Sequence, residues 1–290
     1  MSETKGKGVL YVVATPIGNL EDITYRAVRI LREVDLIACE DTRQTRKLLE
    51  HYGIEKPTVS YHDYNEQERA QELVAKLQAG SSIAQVSDAG MPGISDPGYR
   101  VVKLAIEQGI TVIPVPGASA LVTALAASGL PTDAFEFRGF LPAKSGQRRT
   151  ALESLRDVQH TVVFYEAPHR ILESLQELVG ILGAERQVVI ARELTKLHEE
   201  FIRGAAGEIL KSLEGRELRG EITLLIGKAE QLQPAIAAPD IILRLEQVMQ
   251  EQGIDEKSAL KILAKERGLS KSEVYREVQR AQNSRAAKKN

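Results

Sequence analysis

Ligand-binding residue types are densest in Ser87-Asp88-Ala89-Gly90-Met91-Pro92-Gly93-Ile94-Ser95-Asp96-Pro97-Gly98. Three glycines, two prolines, two aspartates and two serines fall there within twelve positions. Glycine permits positive φ and close backbone approach, and proline stiffens the path between. A plain connection needs fewer such residues, so the segment reads as a binding loop, with an Asx turn as the alternative role for Asp88. A second loop, Thr15-Pro16-Ile17-Gly18-Asn19-Leu20-Glu21-Asp22, follows an apolar run. Its lone glycine is not the G-x-G-x-x-G of a dinucleotide site, and it lacks the Gly-Lys-Ser/Thr of a P-loop. Nicotinamide and ATP chemistry therefore have no support. A third loop, Pro114-Val115-Pro116-Gly117-Ala118-Ser119, is built of small residues that leave room for a flat ring at a helix N-terminus.

Other catalytic classes are poorly served. Cys39 is the single cysteine, which removes an internal disulfide and a cysteine-based zinc site and fits a reducing cytoplasm. His51, His62, His160 and His198 have no metal-ligand spacing, and no Ser-His-Asp grouping is evident. Glu40-Asp41-Thr42-Arg43-Gln44-Thr45-Arg46-Lys47 mixes both signs of charge just after a strand. It is either a solvated helix start capped by Asp41 or Thr42, or a contact for a polyanion.

The elements that must position these loops follow from apolar periodicity. Val9–Ala14, Asp35–Cys39, Ile83–Ser87 and Thr111–Val115 are expected strands. They alternate with helices from Ile23 to Val34 (capped by Asp22), Glu66–Gln78 and Val101–Glu107, a pattern that predicts a parallel α/β sheet. Ser119–Ala127 leads to a hinge at Gly129-Leu130-Pro131. Beyond it Phe135–Phe140, Thr161–Tyr165, Gln187–Arg192, Glu199–Arg203 and Ile222–Ile226 read as strands of a mixed sheet, with helices at Gln147–Arg156, Arg170–Leu182 and Ala206–Leu213. Gln231–Pro239 reads as a linker. Ile241–Gln252, Glu256–Arg267 and Lys271–Gln282 read as helices, the last opened by the capping box Ser270-Lys271-Ser272-Glu273.

A length of 290 residues suits about two domains, and 43% hydrophobic with 27% charged residues is ordinary globular composition. The first residues carry no signal-like apolar segment, and no apolar run approaches the ~20 residues of a membrane span, so neither secretion nor membrane insertion is expected. The chain carries −2 overall, but Lys257–Asn290 holds ten Lys and Arg against three Asp and Glu, a net +7, so the first 256 residues carry −9. With a second basic cluster at Arg138, Lys144, Arg148 and Arg149, this is a footprint of polyanion contact or of a solvated helical tail.

Five segments in register carry a family resemblance: Ala14–Thr24, Cys39–Arg43, Asp88–Gly98, Phe164-Tyr165-Glu166-Ala167-Pro168-His169-Arg170, and Ala191-Arg192-Glu193-Leu194-Thr195-Lys196. Together they resemble the tetrapyrrole methylase (class III) methyltransferase superfamily and, within it, the branch that acts on small-subunit ribosomal RNA. The resemblance spans roughly Val9–Gly227. It implies two α/β domains, 1–117 and 118–230, with S-adenosylmethionine in the cleft between them, plus a small C-terminal three-helix region at 239–290 resembling a helix-turn-helix. It also implies a homodimer and 2′-O-methylation of a cytidine ribose in 16S ribosomal RNA of the small ribosomal subunit. Tetrapyrrole and diphthine members have a glycine-rich first loop with Asp at the position of Asn19, and Pro16 and Asn19 depart from that pattern.

Carried onto this chain, the resemblance places cofactor contacts at Ile17, Asp88, Ala89, Gly90, Met91, Ala118, Ser119 and Tyr165, with no metal. Asp88 would accept from the cofactor's ammonium. Glu166, Asp41, Glu193 and His169 are candidates for the base that removes the ribose proton, each with an ordinary salt bridge or cap as the alternative. Arg43, Lys144, Arg148, Arg149, Arg170, Lys271 and Arg276 are the candidate RNA contacts, although the C-terminal helices would also suit packing or dimerisation. Two other readings stay open: a class III methylase of a tetrapyrrole or protein side chain, and a non-catalytic nucleic-acid-binding regulator.

Overall fold

The computed structural model describes residues 6–229, 241–267, 274–279 and 281. The expected linker at Gln231–Pro239, the capping box at Ser270–Glu273 and Lys271 lie outside the described residues.

In the first half, β1 (Val9–Val13), β2 (Leu36–Cys39), β3 (Thr58–Ser60), β4 (Ile83–Gln85) and β5 (Thr111–Val115) form a sheet in the order β3-β2-β4-β1-β5, every pair parallel. Alternate residues face opposite sides, so both faces need cover. α1 (Tyr25–Glu33) and α2 (Thr42–His51) bury Ala27, Ile30, Leu31 and Leu49 on one face against Val13 and Ile37. α3 (Glu66–Gln78) and α4 (Tyr99–Glu107) bury Leu73, Leu77, Val101 and Ala105 on the other against Leu10, Ala38 and Ile83. Neighbouring strands β1 and β4 therefore send their following helices to opposite faces. The loops that diverge there open a crevice at the strands' carboxyl ends, where open α/β sheets take their ligands.

α5 (Ala120–Ser128) carries the chain to the second half and ends on Gly129, whose φ of +80° makes it a left-handed C-cap. There β6 (Phe135–Phe140), β7 (Thr161–Glu166), β8 (Gln187–Arg192), β9 (Glu200–Ala205) and β10 (Ile222–Ile226) run in the order β6-β7-β10-β8-β9. The sheet is mixed as expected: only β6 and β7 are parallel. α6 (Ser145–Glu153), α7 (Ile171–Leu182) and α8 (Ala206–Ser212) pack on one face through Leu152, Leu175, Leu178 and Ile209. The other face receives Ala124 and Leu125 of α5, together with Ile17 from the first loop of the parallel sheet.

Two local expectations change. The first helix is capped by Thr24, whose hydroxyl accepts from the Ala27 amide at 3.1 Å, and not by Asp22. Asp22 instead ends a one-turn 3-10 helix, Leu20–Asp22, which takes Asn19 as its own cap and so delays the α-helix. β3 went unforeseen because three residues are too few to show a period of two.

Both sheets lie in one compact unit ending at Ala229, and Glu230–Asn290 form another. Described by itself, the second unit holds α9 (Ile241–Gln252), α10 (Glu256–Arg267) and a helical stretch at 274–279, around Leu245, Val248, Leu260, Leu263, Val274 and Val278. Among the described residues, no helix is long and apolar enough to cross a membrane.

Candidate functional site

The crevice loops are held rigidly at both ends. Thr15 and Gly90 exchange backbone bonds, Thr15 N to Gly90 O at 2.9 Å and Gly90 N to Thr15 O at 3.1 Å, and the Thr15 hydroxyl donates to the Ser87 carbonyl at 3.1 Å. Gly90 has φ +79°, a backbone conformation that favours glycine, and lies beneath Ile17. At the far end Glu66 accepts from Gly98 N (3.2 Å), Arg100 N (3.4 Å), Arg100 Nε (2.9 Å) and the Tyr61 hydroxyl (3.0 Å). Buried Gln85 donates to the Pro97 carbonyl at 3.1 Å. Between these anchors Ser95 has φ 61°, a conformation that costs a non-glycine residue about 1 kcal/mol or more and persists where surrounding bonds enforce it.

These loops wall a cavity of about 350 Å³, the lower end of the range for small-molecule sites. Ile17, Ala89–Met91 and Ile94–Asp96 line it from the parallel sheet, Ser119 and Ala120 from the start of α5, and Tyr165–Pro168, Leu194 and Gly220–Thr223 from the mixed sheet. Its opposite rims touch: Asn19 N donates to Thr195 Oγ1 at 3.1 Å, and a Cβ on Gly18 would lie 2.4 Å from Lys196 Cγ. Asp96, Glu166 and Glu221 bring carboxylates to the lining, which includes no Lys or Arg among the described residues.

Six of the eight expected cofactor contacts, Ile17, Ala89, Gly90, Met91, Ser119 and Tyr165, meet in this lining; Asp88 and Ala118 are not part of it. Asp88 instead accepts the Asp41 amide at 3.0 Å, tying the β2 loop to the β4 loop, and its carboxyl is shifted upward by desolvation, against the lowering effect of that hydrogen bond. Tyr165 packs edge-on against Phe137 and Phe140, at 4.9 and 5.5 Å between ring centres.

The four base candidates do not gather at one point, and exposed His169 is not part of the lining. Asp41 caps α2 and pairs with Arg43 at 2.7 Å, and the hydrogen bond from Arg43 holds its carboxyl down at about 2. Glu193 lies outside the lining, lowered first by the hydrogen bond from Lys196 and bonded also to the Glu221 amide. Glu166 does line the cavity, but its oxygens are engaged by Arg170, the Ala167 amide and the Ser174 hydroxyl. Asp96 was not singled out from sequence. Its carboxyl is pushed up to about 6, first by burial, then by the charge of Glu40. An Asp-Pro pair in a glycine-rich loop was the only local signal, and it cannot report burial.

Among the expected RNA contacts, Lys144, Arg149 and Arg276 are exposed, as is Arg43 in its pair with Asp41. Arg170 is mostly covered and bound to Glu166 at 2.5 Å. Arg148 is fully buried, held by Glu177 and Glu173 between α6 and α7, and so presents nothing to a phosphate. Lys271 lies outside the described residues.

The profile of the tetrapyrrole (corrin/porphyrin) methylases matches residues 9–210. The chain is 48% identical to ribosomal RNA small subunit methyltransferase I of Halalkalibacterium halodurans, over 93% of this chain and 94% of that protein. It is 46% identical to the protein of that name from Escherichia coli O157:H7, over 95% and 96%. Among solved structures it resembles uroporphyrin-III C-methyltransferase of Thermus thermophilus complexed with S-adenyl homocysteine (TM-score 0.53, 21% identity, 76% of this chain and 97% of that one). It also resembles a diphthine synthase (TM-score 0.57, 15% identity, 76% and 90%). At such identities the two structures speak for the fold.

Proposed function

The chain belongs to the tetrapyrrole methylase family, in the group of the ribosomal RNA small subunit methyltransferase I proteins, and from that premise we propose that it methylates 16S ribosomal RNA at a cytidine ribose 2′-oxygen, using S-adenosylmethionine. The observation that carries the cofactor assignment is the cavity itself. It lies at the divergence of β1 and β4, is walled by the Ala89–Met91 backbone, and is lined by carboxylates without a Lys or Arg among the described residues. Such a lining suits a ligand with a cationic sulfonium and ammonium. The RNA assignment is supported by relatives matched along nearly their whole length. In place of a glycine-rich first loop, Asn19 caps a 3-10 turn, which disfavours the tetrapyrrole alternative.

When bound, the cofactor supplies an already activated methyl group. The protein's task is then to align the acceptor and to exclude water. Tyr165, braced by Phe137 and Phe140, and the pinned Ser87–Gly98 loop provide rigid walls for that alignment. Exposed Lys144 and Arg149 suit phosphate neighbours of the target nucleotide.

Two experiments test this reading. Incubated with S-adenosylmethionine and small ribosomal subunits, the protein should add one methyl, found by nucleoside mass spectrometry on the sugar fragment of a cytidine. A 2′-deoxy nucleotide at the target should abolish transfer, and a methyl on the base fragment would refute the ribose assignment. Deletion of residues 230–290 should leave cofactor binding intact but flatten the salt dependence of RNA affinity, since each phosphate neutralised adds about 0.7–0.9 to the log–log slope. An unchanged slope would assign those helices to packing. A homodimer belongs to the same reading, supported by α5: nearly all apolar, it still leaves Val122 55% exposed. A monomeric mass by light scattering would remove that part.

A further inference from the structure

We infer that Asp96 is the proton acceptor for methyl transfer, taking the proton of the acceptor hydroxyl as that oxygen attacks the methyl group; the inference rests on the methyltransferase reading above. The acceptor oxygen forms its bond to carbon as the carbon–sulfur bond of S-adenosylmethionine breaks and that electron pair returns to sulfur. The hydroxyl proton passes to the Asp96 carboxylate and then to solvent.

The assignment comes from what each lining carboxylate already does. Glu166, 2% exposed, accepts the Ala167 amide at 2.7 Å and the Ser174 hydroxyl at 2.7 Å and pairs with Arg170 at 2.5 Å. Glu221 is paired with Lys196 at 2.9 Å. Both carboxylates are thus already engaged by a cation. Asp96 has no ion pair among the described residues, and it faces like charges on three elements: Glu40 after β2, Asp63 after β3 and Asp88 at the start of its own loop. Tyr165 of β7 stands across from it, and the Ser87 hydroxyl is the one neighbour that favours its charged form. Burial and like charge together leave it at about 6, a basicity suited to proton transfer near neutral pH.

Its position is as constrained as its charge. Ser95 on one side is held at φ 61°, and Pro97 on the other has its carbonyl bonded to Gln85 and the following amide bonded to Glu66. A base fixed in this way keeps its reach to one point in the cavity, as general-base transfer requires.

The test is Asp96→Asn, which keeps shape and removes basicity. With small ribosomal subunits as substrate and S-adenosylmethionine at saturation, kcat should fall about a hundredfold to ten-thousandfold, beyond any weakening of the calorimetric Kd for the cofactor that loss of one lining charge brings. The wild-type rate should rise with pH to a plateau, and Ser87→Ala should move that inflection upward. A readout independent of activity comes from linkage. A carboxyl raised from 3.8 to about 6 by folding costs stability as pH climbs through that window and costs it fully above. Asp96→Asn should therefore match wild type in Tm near pH 4 and exceed it from pH 6 upward. Unchanged kcat in Asp96→Asn, or lost cofactor affinity with kcat preserved at saturation, would overturn the inference while wild type remains active. Wild type that binds cofactor but methylates no ribosomal RNA would instead sink the underlying functional reading.

Discussion

Arg148→Ala should cost the protein about 3–5 kcal/mol, the range for stranding one member of a buried ion pair. The Arg148 side chain is 0% exposed, with Nε 2.7 Å from Glu177 Oε2, Nη2 2.6 Å from Glu173 Oε1, and Nη1 3.4 Å from the Ala143 carbonyl. It closes α6 onto α7, next to a core containing Leu152, Leu175 and Leu178. Removing it leaves Glu177, whose side chain is 13% exposed, with the Ser145 hydroxyl as its remaining side-chain partner. The pH dependence follows from the direction of the Glu177 shift, lowered from 4.5 first by its hydrogen bond from Arg148. A carboxyl lowered by folding stabilises above its unfolded value and loses that contribution as pH falls through its folded one. The gap between wild type and Arg148→Ala should thus be full above about pH 5 and narrow in acid. Urea melts at pH 7 and pH 3 measure both terms, and a loss below about 1 kcal/mol at pH 7 would show that the pair is replaceable. Cofactor affinity in the folded variant should not change, because α6 does not line the cavity.

Gly220→Ala should damage the site itself. Gly220 has φ +89°, strained for any other residue, and a Cβ there would lie 2.2 Å from Glu193 Cδ. Glu193 cannot easily retreat. It accepts the Glu221 amide at 3.0 Å and pairs with Lys196 at 2.8 Å, which also reaches Glu221 at 2.9 Å. The same segment already holds Glu193 at φ 50° and Thr195 at φ 66°. Pushing Glu193 aside moves Leu194 and Glu221, both in the lining, and disturbs the Asn19–Thr195 bond that joins the rims. We expect a stability loss of about 1–3 kcal/mol and at least a tenfold weaker Kd for S-adenosylmethionine, about 1.4 kcal/mol. Calorimetry on the folded variant checks this. Wild-type affinity would mean that the Glu193–Lys196 rim plays no part in holding the ligand.

Patterns confined to neighbouring residues were legible in advance. Glu66–Gln78 and Thr111–Val115 form the helix and strand expected at those bounds, and the mixed character of the second sheet followed from the closer spacing of its strands. The apolar period that specifies an element lies within the element. The Ser87–Gly98 loop was legible for a related reason: glycine and proline act on their own backbone, so their density reports an unusual path wherever the loop ends up.

Burial and pairing of charge could not be read that way. Arg148 looked like one more arginine of a basic cluster, yet its partners, Glu173 and Glu177, sit on another helix of the second sheet. For Glu166 and Glu193 a salt bridge was one of two open roles, and only the fold supplies the partners, Arg170 and Lys196; Asp96 is one of two aspartates in a loop until Glu40 and Asp63 close around it. A side chain's type is local, but its solvation and the charges facing it are set by segments tens of residues away. By itself the sequence determined most of the elements, the unusual backbone of the Ser87–Gly98 loop and the family. Which carboxylates the fold neutralises, and which one it leaves half-buried and without an ion pair among the described residues in the cavity, only the tertiary structure decided, because electrostatic energy depends on distance in space and on exclusion of water.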